Sequence, residues 1–535
     1  MVFSHHTSPH DDWVPALTSD SLLRRLPLGG ARLAGQARAP AGHRRVNLWL
    51  VAGLTALAAI GYSTFSLLLQ YTVRTHAYDL VIFDQAVRSY AHFQPGISPL
   101  KGYHNGFGPD FSVLGDHWSP IIATLAPLYW IYNGPQDLLI AQGVLFALAI
   151  PPIWLFTRRA LGGPESRTAT IAAYLVSITY ALSWPIQGAV GFDFHEVAFA
   201  PVLTAVGLER LQAGKKKTGL VALAGLFFVK EDCGLLVAGI GVALLLMGKP
   251  WVSRRIAAAM IPVGLIVTFV EVYVLIPAMG GRAGYYWAYP ELGRNVPQAA
   301  VHLLTHPLTA LQALTTPGAK IDLVLLLLAP YLFLALLSPL SVAALPLLLE
   351  RLLNIKFDQW WSTGEQYNAY LIVILLFAAV DGLARLDGRL LPRLNPGWRA
   401  GRLPVAAAAV MAAVTIALVP HFAFGSMLRP AWYHRTAYQQ GAVLAASHVP
   451  SNVVVEAASN VAAQLTSRDT VLFWDGDGSS PLFPNWVVTC TTHAEYTFRS
   501  VGDQIARVHL LKQHGYVTVY SVGGYLVMHK PGVKA

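Results

Sequence analysis

Four groups of residues in this chain are equipped for chemistry: Tyr78-Asp79 with Asp84-Gln85, Gly115-Asp116-His117, Phe192-Asp193-Phe194-His195-Glu196, and Lys230-Glu231-Asp232. Each abuts an apolar segment in a chain that is 54% hydrophobic and only 12% charged. Charge at the edge of a bilayer is expensive to place, so such groups are read as functional by default. If all four fall on one side of the membrane, they describe a single site.

The residue types suggest specific tasks. Asp79 fits the N-cap of a surface helix in which Leu80, Phe83 and Val87 share an apolar face and Asp84 and Arg88 pair at i,i+4. That pattern describes either a capped interfacial helix or a carboxylate, Asp79 with Asp84 second, that activates an acceptor hydroxyl as a general base. Asp193 and Glu196 have the spacing of a capping box. Alternatively Asp193, His195 and Glu196 are the ligands of a divalent metal, for which oxygen donors with one imidazole suit Mg or Mn. Asp116 and His117 complete that site or line a substrate pocket. Lys230 is either part of a self-neutralising helix break with Glu231 and Asp232 or a point charge for a phosphate. Arg88, Lys101 and Arg351 are further cations for the same task. Tyr285-Tyr286-Trp287-Ala288-Tyr289 and Trp360-Trp361 are an interfacial aromatic belt or sugar-stacking surfaces. Gly476-Asp477-Gly478 reads as a turn.

The elements that must position these residues are apolar helices. The chain has 535 residues and a mean hydropathy of +0.48. Apolar runs near 46–70, 137–157, 168–186, 197–211, 219–231, 233–248, 256–277, 321–337, 339–353, 368–384 and 403–424 predict about eleven spans. The run from Gly219 to Met247 is split at Lys230-Glu231-Asp232, with one long helix burying an ion pair as the alternative. Pro120 to Tyr132 is short and carries two prolines, and reads as re-entrant or interfacial. Residues 1–45 are polar and rich in Arg, Pro and Gly, and read as a disordered cytoplasmic segment. The net charge of +10 sits between apolar runs, which points to cytoplasmic loops and away from nucleic acid. With the N-terminus inside, Arg158, Arg159, Arg167, Arg210 and Lys215 to Lys217 fall in cytoplasmic loops. All four chemical groups, the loop 71–136 and the region from 425 onward then fall outside. Residues 425–535 carry short β-branched runs and two helical stretches, near 434–448 and 500–513, and predict a small extracytoplasmic α/β domain. The two cysteines, Cys233 and Cys490, are too few for a disulfide framework, although a single bond between them is conceivable.

Taken together, Tyr78-Asp79-Leu80-x-Ile82-Phe83-Asp84-Gln85-Ala86, Gly115-Asp116-His117-x-Ser119-Pro120, Phe192-Asp193-Phe194-His195-Glu196 and Lys230-Glu231-Asp232 resemble the DUF2079 family of bacterial membrane proteins over about residues 50–530. The wider architecture resembles the GT-C membrane glycosyltransferases. That resemblance implies a GT-C-like transmembrane domain over 46–424. It also implies Asp79 as catalytic carboxylate with Asp84 second, and Asp193, His195 and Glu196 at the place of a second, metal-binding acidic motif. A histidine there replaces a carboxylate of that motif.

The function expected on these grounds is transfer of a sugar from a polyprenyl-phosphate donor to an envelope acceptor on the outer face of the membrane. Asp79 acts as base, and Lys230, with Arg88, holds the phosphate. Asp116, His117, Glu231 and Asp232 shape the site. The expected partners are membrane lipid and a lipid-linked sugar, and the one cofactor in view is the divalent metal. The alternatives are a non-catalytic protein that binds or moves lipid-linked sugars or envelope polymers, and a lipid-phosphate transferase of another chemical type.

Overall fold

The computed structural model describes residues 41–248, 251–395, 397–398, 401, 403–476, 484–495 and 497–532. Val46–Ala535 forms one compact unit. Of the remaining unit, Met1–Arg45, only the start of the first helix at Ala41 is among the described residues, so most of the disorder expected for 1–45 lies outside them. The turn expected at Gly476-Asp477-Gly478 also lies outside them beyond Gly476.

Among the described residues, six helices are long and apolar enough to cross a membrane: Arg45–Tyr71, Gln136–Ala160, Arg167–Gly191, Arg254–Ala278, Gln366–Leu394 and Leu403–His421. A seventh is formed if Pro307–Thr315 and Ala319–Tyr331, bent by 72°, count as one broken span. Leu-, Ala- and Val-rich runs form helices here because only a helix satisfies every backbone group within its own segment. Serine caps start two of them: Ser166 Oγ accepts from Ala169 N at 3.1 Å and Ser253 Oγ from Ile256 N at 3.3 Å. In Gln366–Leu394, 78% of the apolar window is buried, against 22% in Arg254–Ala278. The first is therefore the centre of the bundle, and the second turns most of its surface outward. The other apolar runs are shorter helices: Phe199–Gln212, Lys216–Ala224, Cys233–Leu246 and Leu345–Leu353.

Two local features bear on the site. Pro120–Trp130 is a 3₁₀ helix with prolines at positions 120 and 127, packed on the helix Ile82–Ala91. The chain also breaks at Lys230-Glu231-Asp232, between Gly225–Phe228 and Cys233–Leu246, so no continuous helix runs through the three charges.

The C-terminal region is a five-stranded sheet. Its strands are β1 (Val454–Ala457), β2 (Thr470–Phe473), β3 (Trp486–Cys490), β4 (Val517–Val522) and β5 (Tyr525–His529), in the order β2-β1-β3-β5-β4. β1 pairs in parallel with β2 and β3, and β5 pairs antiparallel with β3 and β4. The β-branched runs expected in this region are these strands. Ala437–Ser447 and Val501–Gln513 are the two expected helices. A third helix, Ser459–Leu465, has no strong signal in the sequence and makes the crossover between β1 and β2. Its polar groups tie the sheet to the first loop. Gln70 Nε2 donates to Ala463 O at 2.8 Å, Ala77 N to Ser459 Oγ at 3.1 Å, and Gln85 Nε2 to Val471 O of β2 at 2.8 Å. Cys233 and Cys490 are buried free thiols, so the conceivable bond between them is not made.

Candidate functional site

The four chemical groups meet in a closed circuit of contacts. His195 Nε2 lies 3.3 Å from Asp79 Oδ2, and His195 Nδ1 lies 2.9 Å from Glu196 Oε2. Glu196 Oε1 pairs with Lys230 Nζ at 2.9 Å. The adjacent Glu231 holds His117, Nδ1 to Oε1 at 2.7 Å, and accepts from Trp118 N at 3.1 Å. Next to His117, Asp116 Oδ2 pairs with Lys101 Nζ at 2.9 Å. Lys101 Nζ then donates to Tyr78 OH at 2.9 Å, and Tyr78 precedes Asp79 in the chain. Tyr286 closes the far wall. Its hydroxyl donates to Asp116 Oδ1 at 2.5 Å and accepts from Lys101 at 3.2 Å, and its ring stacks on His117 at 4.8 Å.

Asp79 departs from the expected N-cap. The helix starts at Ile82, and Asp79 sits in the turn before it with φ 74° and ψ −70°. These are the dihedrals of the rare γ-turn, disfavoured for a residue with a Cβ and costing about 1–3 kcal/mol. Such strain persists only where the surroundings over-determine it. Here they do so through Ala77 N on Ser459 Oγ, His76 N on Asp193 Oδ2 at 3.0 Å, and His195 on the carboxylate itself. Asp79 Oδ1 takes part in no described hydrogen bond, and the side chain keeps 15% of its exposure. It is the carboxylate of the circuit with an oxygen to spare.

The electrostatics follow from pairing inside a dry pocket. Burial opposes charge on His195, but Asp79 and Glu196 outweigh it and push the imidazole up to about 9. His195 is thus an imidazolium at neutral pH, and it requires the Gln366 amide, 3.0 Å from Nε2, to turn its oxygen toward the ring. Glu196 is buried, yet Lys230 and His195 hold its carboxyl well below the usual range. Because the folded value of His195 is raised, its contribution to stability is full below its ordinary value and is lost as pH rises through about 9. Melting temperatures measured from about pH 6 to 10 are expected to fall progressively between about pH 6.5 and 9 and to lose no more from this group above that, and a His195→Gln protein should lack that decline.

The proposed metal ligands do not converge. Asp193 turns to His76, accepting from His76 N and facing Nδ1 at 3.5 Å. Both nitrogens of His195 are engaged, and the Lys230 ammonium occupies the position a cation would take beside Glu196. Among the described residues no group of three or more His, Cys, Asp or Glu is arranged to hold a metal ion. The donor set does not fit Mg or Mn. Nor do Asp193 and Glu196 form a capping box: His195 is the N-cap of the short helix that follows, without a side-chain cap bond.

Asp84 and Arg88 are likewise separate from the circuit. Asp84 is fully buried and accepts from Arg88 Nη2 at 2.7 Å, Tyr129 OH at 2.7 Å and Thr466 Oγ1 at 2.6 Å. Arg88 Nε is spent on Asn133 Oδ1 at 2.7 Å. This is the i,i+4 pair expected from spacing, turned into a junction between the first loop, the Pro120–Trp130 turn and the sheet domain. It has no free oxygen for a base and no free fork for a phosphate. Asp84→Ala strands the Arg88 guanidinium and is expected to cost about 3–5 kcal/mol, read as a lower melting temperature. Asp232 makes no ion pair within the circuit among the described residues and stands within electrostatic reach of both Lys230 and Arg351.

Several participants carried little signal in the sequence. Lys101 and Tyr286 stood as an isolated cation and one member of an aromatic run. Gln366, His76 and Glu365 stood out in no pattern. Glu365 faces Asp79, and burial followed by that negative charge pushes it up to about 7. Only long-range folding brings these residues to the circuit.

Helices able to cross a membrane, a small C-terminal sheet and a buried acid–base circuit between them define a mostly helical membrane protein with one polar site. The family described as "Predicted membrane protein (DUF2079)" matches residues 69–527, and the chain belongs to that family. Among solved structures, a crystal structure of the Archaeoglobus fulgidus oligosaccharyltransferase in complex with Zn and sulfate aligns at 11% identity and a TM-score of 0.39. The alignment covers 81% of this chain and 68% of that one. No curated protein matches the chain.

Proposed function

We propose that the circuit is the active site of a GT-C-like glycosyltransferase that takes a sugar from a polyprenyl-phosphate donor at the outer membrane face. The observation that carries this reading is Asp79: a strained carboxylate with one oxygen fixed by an imidazolium and the other free. Asp79 Oδ1 would accept the proton of an acceptor hydroxyl. The hydroxyl oxygen then bonds to the anomeric carbon as the bond from that carbon to the lipid phosphate oxygen breaks. The phosphate leaves with the electron pair, and Lys230 is the cation of the circuit that faces it. The orientation is the one the loop charges favour: N-terminus inside, with the site and the sheet domain outside. The apolar helices beyond the six long ones would reach the expected eleven or so by crossing as short or broken spans. The test is transfer from a radiolabelled polyprenyl-phosphate sugar by purified protein in nanodiscs. Wild-type turnover supports the reading, and binding of the donor without turnover would replace it with the non-catalytic one.

A further inference from the structure

The sequence offers four cations for a phosphate, and the structure separates them. Arg88 is committed to Asp84 and Asn133, and Lys101 to Asp116, Tyr78 and Tyr286. Lys230 pairs with Glu196. Arg351, near the end of the helix Leu345–Leu353, is only 2% exposed, yet neither Nη1 nor Nη2 has a hydrogen-bond partner. Its guanidinium lies over the ring of Tyr370, 5.2 Å from the centroid, and the Tyr370 hydroxyl is also buried and unpartnered. Asp232, with an unpartnered buried Oδ1, stands within electrostatic reach of both Lys230 and Arg351. Tyr367 likewise stands within reach of both cations. A buried guanidinium with an idle fork is costly, and the geometry of that fork matches the oxygens of a phosphate.

We propose that Arg351, Lys230 and the Tyr370 hydroxyl form a cradle for a phosphate group, with the Arg351 fork as its principal contact. The Arg351 fork and the Tyr370 hydroxyl donate to phosphate oxygens, Lys230 supplies the second positive charge, and Asp232 Oδ1 accepts from a protonated phosphate oxygen. The choice of a lipid phosphate rests on the reading of the circuit given above; the unpartnered groups themselves do not. A free phosphate has the same chemistry, so the two sources are separated by experiment.

Binding is measured with purified protein in nanodiscs, using a polyprenyl monophosphate in one arm and inorganic phosphate in the other. Wild type is expected to bind the lipid probe, and Arg351→Gln to bind it at least about tenfold more weakly. Arg88→Gln should bind as wild type does. Because neither Nη1 nor Nη2 of Arg351 has a hydrogen bond to lose, Arg351→Gln without ligand should melt close to wild type, which an arginine held by structural hydrogen bonds would not allow. Should that protein fail to fold, Arg351→Lys, which keeps the charge and loses the fork, is expected to bind with intermediate strength. Arg351-dependent binding of inorganic phosphate alone keeps the cradle and assigns it a free anion. Unchanged binding by both variants, or binding of neither probe by wild type, overturns it. Arg351-dependent lipid binding without sugar transfer leaves the cradle standing and removes the glycosyltransferase reading.

Discussion

Asp79→Asn is expected to lower sugar transfer by about two to four orders of magnitude, the usual scale of a lost general base, with donor binding little changed. Asparagine keeps the size of the side chain and a hydrogen-bond acceptor for His195, so the loss would report the missing proton acceptor. An Asp79→Asn protein with full activity removes Asp79 from that role. Comparing Asp79→Gly with Asp79→Ala separates chemistry from strain. Both lack the charge and the acceptor for His195, but glycine adopts φ 74° without the Cβ penalty. The glycine protein should therefore be as inactive as the alanine one and yet more stable than it by about 1–3 kcal/mol. Equal melting temperatures would mean that the turn stores no strain.

The second large effect is structural. Lys101 is 1% exposed and neutralises Asp116 inside the protein. Removing one partner of a buried pair leaves an uncompensated charge, so Lys101→Met is expected to cost about 3–5 kcal/mol. The double variant Lys101→Met with Asp116→Asn should recover much of that loss, because no lone charge remains. A double variant no better than the single one would show that Lys101 matters for packing alone. The pair also defines a pH window. Burial opposes charge on both groups, but each holds the other charged, leaving Asp116 below and Lys101 well above its ordinary value. Asp116 is depressed, so its contribution is present above the ordinary carboxylate range and lost as pH falls through the lowered folded value. Lys101 is raised, so its contribution is full below its ordinary value near 10.5 and lost only as pH rises past the folded one. The pair therefore stabilises across the neutral range, and the double variant should show a flatter dependence of stability on pH at both ends.

How much of this was legible in the sequence can be judged residue by residue. The charge groups were visible because hydropathy makes any ion conspicuous, and the strands because Val454 to Ala457 and Thr470 to Phe473 are β-branched or apolar runs bounded by turn formers. The Asp84–Arg88 pair followed from helical spacing, but its isolation from the circuit did not. That depends on Thr466 and Tyr129, which lie far away in the chain. The expected capping roles of Asp79 and Asp193 failed for one reason. A capping pattern is local, and each carboxylate is held by a partner more than a hundred residues distant: His195 for Asp79, His76 for Asp193. Metal spacing misled in the same way, since a lysine from a third segment supplies the positive charge that a metal would. Arg351 looked like one cation among several, and only the burial of its idle nitrogens sets it apart.

The helix Ser459–Leu465 joins two strands, but it also braces the turn that carries Asp79, through Ser459 and through Ala463 on Gln70. The shape of the reactive loop is thus partly written in a domain that contributes no group to the circuit. A binder that pried this helix from residues 70–77 would let the turn relax toward ordinary dihedrals and silence the site without entering it. The sheet domain would then govern the site from a distance, through the two contacts that hold this turn in place.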